Sequence, residues 1–385
     1  MSGGNQFRPG WLRVIAIIIV VGAGIPTGAS GKNELAFTTG IATANIAWAK
    51  PEVITATLAG IAGAGFGTVR IGLKNPLSGT FHALEQAKRA GLEVLVTIPL
   101  IDGAVASKGA EPRPRDDRFF AAYGLSQIDL ARYRSRLEEL LAFVDSHGIP
   151  LIGLELGNEL NWSGYNGDLP LSPAGAMIMS PADWASGDRA RFERGLDRYR
   201  AVVDLTRATL AKYPAMAKVK LVSAGLADIN GDFIRRSGAT YVAPGLIYQA
   251  FAARRIFQQF DIVGIHLYEP LRNASGIRDR AVLIDTQLDA CGTAAFAQRS
   301  CWITEFGTAL PRQDCAPADA RRIALMQPLL AYLAHPTNAG RIPMGFYYDW
   351  NDDAGFALMR CGRLTALTKL LPRQKTGDGT TVATP

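Results

Sequence analysis

Two glutamates stand where short apolar runs of this chain give way to polar sequence. Leu151-Ile152-Gly153-Leu154-Glu155-Leu156-Gly157-Asn158-Glu159 reads as a buried strand ending in Gly-Asn-Glu, with Trp162 just beyond. Cys301-Trp302-Ile303-Thr304-Glu305-Phe306-Gly307 is a second short strand ending in a carboxylate and a glycine. A carboxylate at the mouth of an apolar strand is costly to bury without a partner, so its presence there points to use. Two carboxyls facing each other across one opening can divide an acid-assisted displacement at an acetal carbon. One is held protonated by its surroundings and protonates the leaving oxygen; the other is kept ionised by a nearby cation and attacks. At a separation of about 5–5.5 Å that pair cleaves a glycosidic bond with retention.

Glu159 and Glu305 are remote in the chain, so the fold must bring them together. A βα rhythm runs from residue 35 to residue 371. Apolar runs predict strands over 35–41, 65–73, 92–100, 151–159, 219–226, 261–268, 301–305 and 344–350. Helical spacing predicts helices over 51–64, 79–90, 130–147, 188–213, 244–260, 278–297, 318–334 and 361–371. Leu130, Tyr133, Leu137 and Leu141 form one such stripe, and Phe192, Leu196, Tyr199 and Val203 another. Most strands are near-continuous Val/Ile/Leu runs, as in a parallel sheet covered on both faces. The expectation is an α/β chain closed into a (β/α)8 barrel, a single domain over 32–371 with long loops at 102–129, 161–187 and 306–316. Loops after strands form the functional face of that fold, and both glutamates sit there. An open doubly wound sheet that binds a dinucleotide would carry GxGxxG after its first strand, and none is present.

Composition narrows the function further. The 385 residues are 48% hydrophobic and 19% charged, enough for a substantial core. The net charge of +7 is scattered, and its densest cluster (Arg113, Arg115, Arg118) is interrupted by Pro and Asp. That pattern argues against a nucleic-acid partner. Arg8 and Arg13 precede the apolar run Val14 to Val21 and a small-residue stretch from Gly22 to Gly31. This predicts a signal peptide over 1–31 and export to the periplasm or beyond, with an uncleaved N-terminal anchor as the alternative and only membrane contact. In an oxidising compartment the four cysteines are expected to pair as Cys291–Cys301 and Cys315–Cys361. None has metal-ligand spacing and there are four histidines in all, so neither a metal nor another cofactor is expected. The polar tail over 372–385 is expected to be disordered, and the protein to be a monomer acting on carbohydrate.

Five short motifs in strand order carry a resemblance: Val-Arg-Ile at 69–71, Gly-Asn-Glu at 157–159, His-x-Tyr at 266–268, Ile-Thr-Glu-Phe-Gly at 303–307, and an aromatic last strand ending in Trp350. Together they resemble the clan A, or "4/7", superfamily of retaining (β/α)8 glycoside hydrolases, which includes cellulase-like and β-xylosidase-like families. The resemblance implies Glu159 as acid/base and Glu305 as nucleophile. It further implies Asn158 on the sugar 2-hydroxyl, Arg70 and Tyr268 beside Glu305, His266 on the acid/base side, and Trp350 as the platform under the sugar. The third strand ends Thr97-Ile98-Pro99 where cellulase-like members often carry His, and Leu160 follows Asn-Glu where Pro is common. The likeness therefore reaches the clan rather than one family.

Each of these residues also has a structural reading. Arg70 interrupts an apolar strand, where it serves either a buried salt bridge, Glu155 being a candidate partner, or a place beside the nucleophile. His266 and Tyr268 share strand parity and suit either the site or core packing. Trp350 precedes Asn351, Asp352 and Asp353, which favours a solvent-facing mouth. Trp162 and Tyr165 stack on sugar or anchor their loop. A non-catalytic polysaccharide-binding barrel would need the aromatics but not both carboxylates, and a transglycosylase in exopolysaccharide handling would use the same residues as a hydrolase.

Overall fold

A computed structural model describes residues 37–113, 121–171, 177–178, 180–227, 239–268, 287–309, 319–351 and 355–373. The expected signal peptide lies outside these residues. Eight parallel strands close into a barrel: β1 (Thr38–Thr43), β2 (Thr68–Gly72), β3 (Glu93–Ile98), β4 (Leu151–Leu156), β5 (Lys220–Ser223), β6 (Ile262–Tyr268), β7 (Ser300–Gly307) and β8 (Met344–Tyr348). The helices α1 (Pro51–Gly63), α2 (Leu77–Arg89), α3 (Leu130–His147), α4 (Ser186–Leu210), α5 (Pro244–Ala253) and α6 (Asp319–Ala334) alternate with them along the chain. This is the (β/α)8 barrel that the apolar runs predict.

Local chemistry sets where the elements begin and end. Pro51 opens α1, where its missing N–H is not needed. Asp129 caps α3 by accepting from the N–H groups of Ala131 and Arg132, and Gly148, at φ 55°, ends it in the left-handed region. The helix expected over 244–260 stops at Ala253 because Arg255 turns left-handed at φ 55°. The helix expected over 278–297 falls largely outside the described residues. The one expected over 361–371 does not form. Cys361 and Gly362 both adopt positive φ (49° and 72°), which makes a tight hairpin between Met359–Arg360 and Arg363–Leu364, followed by a 3-10 turn over Ala366–Lys369. The first two residues of the expected tail are held in place, and the rest of it lies outside the described residues. The carbonyl of Pro372 accepts from Thr39 N at 2.8 Å, and the Arg373 guanidinium lies over the Phe66 ring.

Inside the barrel, Ala42, Leu95, Val222, Ile262, Trp302 and Phe346 fill the lower part, so this is a packed core and not a pore. Toward the C-terminal ends the inward positions turn polar: Arg70, Thr97, Glu155, His266, Thr304 and Glu305 are all buried there. One irregularity makes that layer. Against β6 the pairing steps from Ile265↔Ile303 to His266↔Glu305, so β7 carries one extra residue at Thr304. The pairing with β8 shifts at the same place. A β-bulge there puts two consecutive side chains, Thr304 and Glu305, on the inward face. Strict alternation from inward Trp302 would have aimed Glu305 at the helices.

One of the two expected cysteine pairs is present. Cys291 and Cys301 form a disulfide with Cα atoms 5.6 Å apart. Cys361 is also disulfide-bonded, while Cys315 lies outside the described residues.

Candidate active site

Seven of the eight strands, all but β5, or the loops just after them deliver residues to one cleft of about 250 Å³ at the C-terminal mouth of the barrel. Asn45 follows β1, Arg70 and Lys74 come from β2 and its loop, and Thr97 and Pro99 from the end of β3. Asn158, Glu159 and Tyr165 follow β4; Tyr268, Glu305 and Tyr348 come from β6, β7 and β8.

Glu159 is not a strand residue, as the apolar run suggested. The strand ends at Leu156, and Glu159 sits three residues on at φ 48°, a left-handed conformation that strains a side chain other than glycine. Its N–H donates to the Gly225 carbonyl at 2.8 Å, which holds the turn. Gly225 itself admits no side chain, because a Cβ there would lie 2.1 Å from His266 Cδ2 and 2.6 Å from Thr304 Oγ1.

Arg70 is the hub. It is fully buried, with Nε donating to Glu155 Oε2 at 2.7 Å, Nη1 donating to Glu305 Oε1, and Nη2 donating to Asn158 Oδ1 at 2.9 Å. The salt bridge and the post beside the expected nucleophile are thus one arrangement, made possible by the five donors of a planar guanidinium. Burial alone would lower the pKa of Arg70, but the charges of Glu155 and Glu305 raise it instead. Glu155 also accepts from Thr97 Oγ1 at 2.6 Å and from Gly225 N at 3.2 Å, so it is fully engaged beneath the cleft.

The two carboxyls of interest have different surroundings. Glu305 accepts from Arg70 at one oxygen and from the Tyr268 hydroxyl at the other. Burial pushes its pKa up, but the charges of His266 and Arg70 and these two hydrogen bonds outweigh burial and hold it below the ordinary value. Glu159 is raised: burial dominates, the negative charge of Glu305 adds to it, and His266 offsets only part. His266, fully buried, has Nδ1 3.1 Å from Glu159 Oε1 and 3.6 Å from Glu305 Oε2. Burial disfavours its charged form, yet the two carboxyls raise its pKa overall. Tyr268 is raised well above its usual range by burial and by Glu305, so its hydroxyl stays a donor.

One ligand atom each from Glu159, His266 and Glu305 lie within 4.8 Å of one another. Such a trio could hold a cation, but both Glu305 oxygens already accept from Arg70 and Tyr268, and a dication would have to share the space with a guanidinium. The donor set fits proton and nucleophile chemistry better than metal ligation.

Two expected site residues lie elsewhere. Trp350 is 2% exposed, meets Phe66 edge to face at 6.4 Å and packs over Gly60 of α1. It belongs to the shell between barrel and helices, because the last inward position of β8 is Tyr348, which lines the cleft in its place. Trp162 is half-buried against Tyr241 and Ala227 and supports the Tyr165 ring at 5.3 Å, leaving Tyr165 to face the cleft. Thr97 and Lys74 line the cleft as well. Their signal was position alone, at or just past a strand end.

No family model and no curated protein sequence matches this chain. By structure it is similar to a β-galactosidase from the psychrophilic Marinomonas ef1, at 14% identity and TM-score 0.54, over 86% of this chain and 58% of that one. It is similar to Faecalibacterium prausnitzii β-glucuronidase at 15% identity and TM-score 0.51, over 87% of this chain and 48% of that one. A GH5_18 protein of Bifidobacterium longum, solved with Manβ1-4GlcNAc, matches at 14% identity and TM-score 0.51, over 88% of this chain and 80% of that one. The chain thus spans about half the length of the β-glucuronidase and 58% of the β-galactosidase. These neighbours are clan A glycoside hydrolases built on an eight-stranded parallel barrel, and this chain shares that fold.

Proposed function

We propose that the protein is an exported glycoside hydrolase that cleaves a polysaccharide or oligosaccharide with retention of anomeric configuration. Glu159 acts as acid/base and Glu305 as nucleophile. The observation that carries this reading is the opposed tuning of two carboxyls whose nearest ligand atoms fall within 4.8 Å: Glu159 raised, Glu305 lowered. That closeness matches a double displacement rather than the wider gap, about 6.5–9.5 Å, that accommodates a water between the carboxyls.

In the first step Glu305 attacks the anomeric carbon while Glu159 gives its proton to the departing glycosidic oxygen. This leaves a glycosyl ester on Glu305 and a carboxylate at Glu159. In the second step Glu159 takes a proton from water, and the hydroxide formed displaces Glu305 from the sugar. Arg70 and Tyr268 hold Glu305 in place and steady the carboxylate that departs in this step. Asn158, oriented by Arg70 Nη2, is placed to bind the sugar 2-hydroxyl. Tyr348 and Tyr165 supply aromatic walls. A barrel that only bound glycan would have no use for one carboxyl tuned up beside another tuned down. A transglycosylase would differ only in what resolves the ester.

Variants at the two carboxyls test this on a panel of aryl glycosides and bacterial exopolysaccharides, with products followed by NMR. Glu305→Gln is expected to reduce turnover to background. Glu159→Ala should lower kcat/KM by roughly 10²–10⁴-fold on poor leaving groups, while activated aryl glycosides still react and speed up with added azide. Wild-type rates in Glu305→Gln, or an inverted first product, would sink the assignment.

A further inference from the structure

Glu155 is a buried carboxyl to which the two-step chemistry gives no part. Gly153 of β4 faces Leu95 and Trp302 inside the barrel, so strand alternation aims Glu155 inward one layer higher, opposite Thr97 of β3. It is fully buried and outside the lining of the cleft. Its Oε2 accepts from Arg70 Nε and Thr97 Oγ1, and its Oε1 from Gly225 N. His266 Nε2 stands 4.0 Å from Oε1, and Tyr199 of α4 feels the same negative charge. Two of these partners lead on to the reacting pair. Arg70, fixed at Nε, turns its outer nitrogens to Glu305 and Asn158. Gly225, fixed at its N–H, presents its carbonyl to the Glu159 N–H at 2.8 Å. Stability alone does not call for this arrangement, because apolar side chains of similar volume often replace a buried ion pair without loss.

We infer that Glu155 is a positioning residue for both reacting carboxyls: through Arg70 it aims Glu305, and through Gly225 it holds the turn that carries Glu159. One carboxylate thereby fixes the spacing on which a double displacement depends. The effect on rate rests on the glycosidase reading, whereas the anchoring of Arg70 rests on the hydrogen bonds alone. A planar guanidinium held at Nε has its other two nitrogens pointed in set directions, so the anchor decides where Glu305 meets its donor. Glu155→Gln keeps the size of the side chain and removes its charge. Both oxygens of Glu155 accept from donors, so whichever way the new amide turns, its NH2 meets another donor.

Two measurements on the full chain test this. Hydrogen exchange at the Arg70 Nε–H, followed by NMR without substrate, should run at least about tenfold faster in Glu155→Gln than in the wild type. The second uses the 2-fluoro analogue of whichever aryl glycoside the wild type cleaves. Fluorine slows release of the glycosyl ester, so mass spectrometry counts the sites that react and gives a rate for each. Glu155→Gln should label as many sites as the wild type, with the rate per site lower by about 10²-fold, the scale of a 1 Å misplacement. Activated leaving groups should suffer as much as poor ones, because the arm through Arg70 serves the attack itself. Thr97→Val removes one donor from Oε2 and leaves the charge pair, and should lower the rate per site by about tenfold. Fewer reacting sites at an unchanged rate per site would assign Glu155 to folding alone and overturn the inference, as would Arg70 exchange that does not change. If Glu155→Gln does not fold, Thr97→Val decides alone, and a wild-type rate per site there overturns it. A wild type that cleaves no glycan would defeat the glycosidase reading and the rate prediction with it, while faster Arg70 exchange in Glu155→Gln would leave the anchoring in place.

Discussion

At the scale of single residues, the site is a balance of buried charge. Arg70 and His266 face Glu155 and Glu305, and Glu159 is the carboxyl that burial pushes above its ordinary value. His266 is the element of that balance with the clearest signature, because it acts on both carboxyls in the same direction. Its hydrogen bond and charge lower Glu159, and its charge lowers Glu305. Replacing it by Asn therefore lets both rise. On the proposed roles, the acid limb of kcat/KM, set by ionisation of Glu305, should move to higher pH, and so should the alkaline limb, set by loss of the Glu159 proton. The two limbs report the coupled pair rather than either residue. A pH–rate profile on an aryl glycoside checks this, and limbs that stay in place or move down would show that His266 is not charged beside them. Much of the candidate site was legible in the sequence, since Gly-Asn-Glu and Thr-Glu-Phe-Gly name the two carboxyls that meet in the cleft. The role of Arg70 was legible only as two competing readings, because a sequence does not show that one guanidinium can reach two carboxylates and an amide at once.

At the scale of elements, the site depends on irregularities that sequence patterns hide. The bulge at Thr304 is marked by no Gly or Pro, and counting by twos from Trp302 gives the wrong face for Glu305. The same difficulty misplaced Trp350, whose polar successors suggested a solvent-facing mouth although the ring packs on α1. The hairpin at 359–364 stands where helical spacing predicts a helix, because Cys361 and Gly362 turn left-handed between its strands. Gly225 shows how closely these ends are fitted. It binds Glu159 and Glu155 through its backbone, and His266 occupies the space of its missing side chain. Gly225→Ala removes no reacting group, yet it must displace the imidazole. The expected result is a loss in kcat/KM of about 10²-fold, the scale of a 1 Å misplacement, with near-wild-type circular dichroism. Full activity in this variant would mean that the His266 position is not critical.

At the scale of the whole molecule, the barrel was the most legible feature. Its strands are nearly all apolar, its pre-strand turns are short and its post-strand loops are long, and each of these follows from closing a parallel sheet inside a shell of helices. The disulfide between Cys291 and Cys301 ties the segment before β7 to the strand that carries Glu305. Substrate shape is less legible, since it depends on loops that follow no period.

The burial of Glu159 has a consequence for a molecule with no sugar in hand. A carboxyl whose folded pKa lies above its ordinary value of 4.5 holds its proton more tightly in the native state than in the unfolded one. Between those two values the native state keeps the proton and the unfolded chain releases it, so resistance to melting declines as pH climbs. Glu159→Gln has no proton to release, and in calorimetric scans it should outlast the wild type by a margin that widens as the buffer is raised above pH 4.5. Glu305, lowered instead, should show the opposite trend, with Glu305→Gln losing ground as pH rises through the window below 4.5. The proposed donor and the proposed attacker can thus be told apart by heat and buffer alone, before any linkage has been identified. A Glu159→Gln protein that melts no later than its parent at neutral pH would mean that the donor has been misassigned.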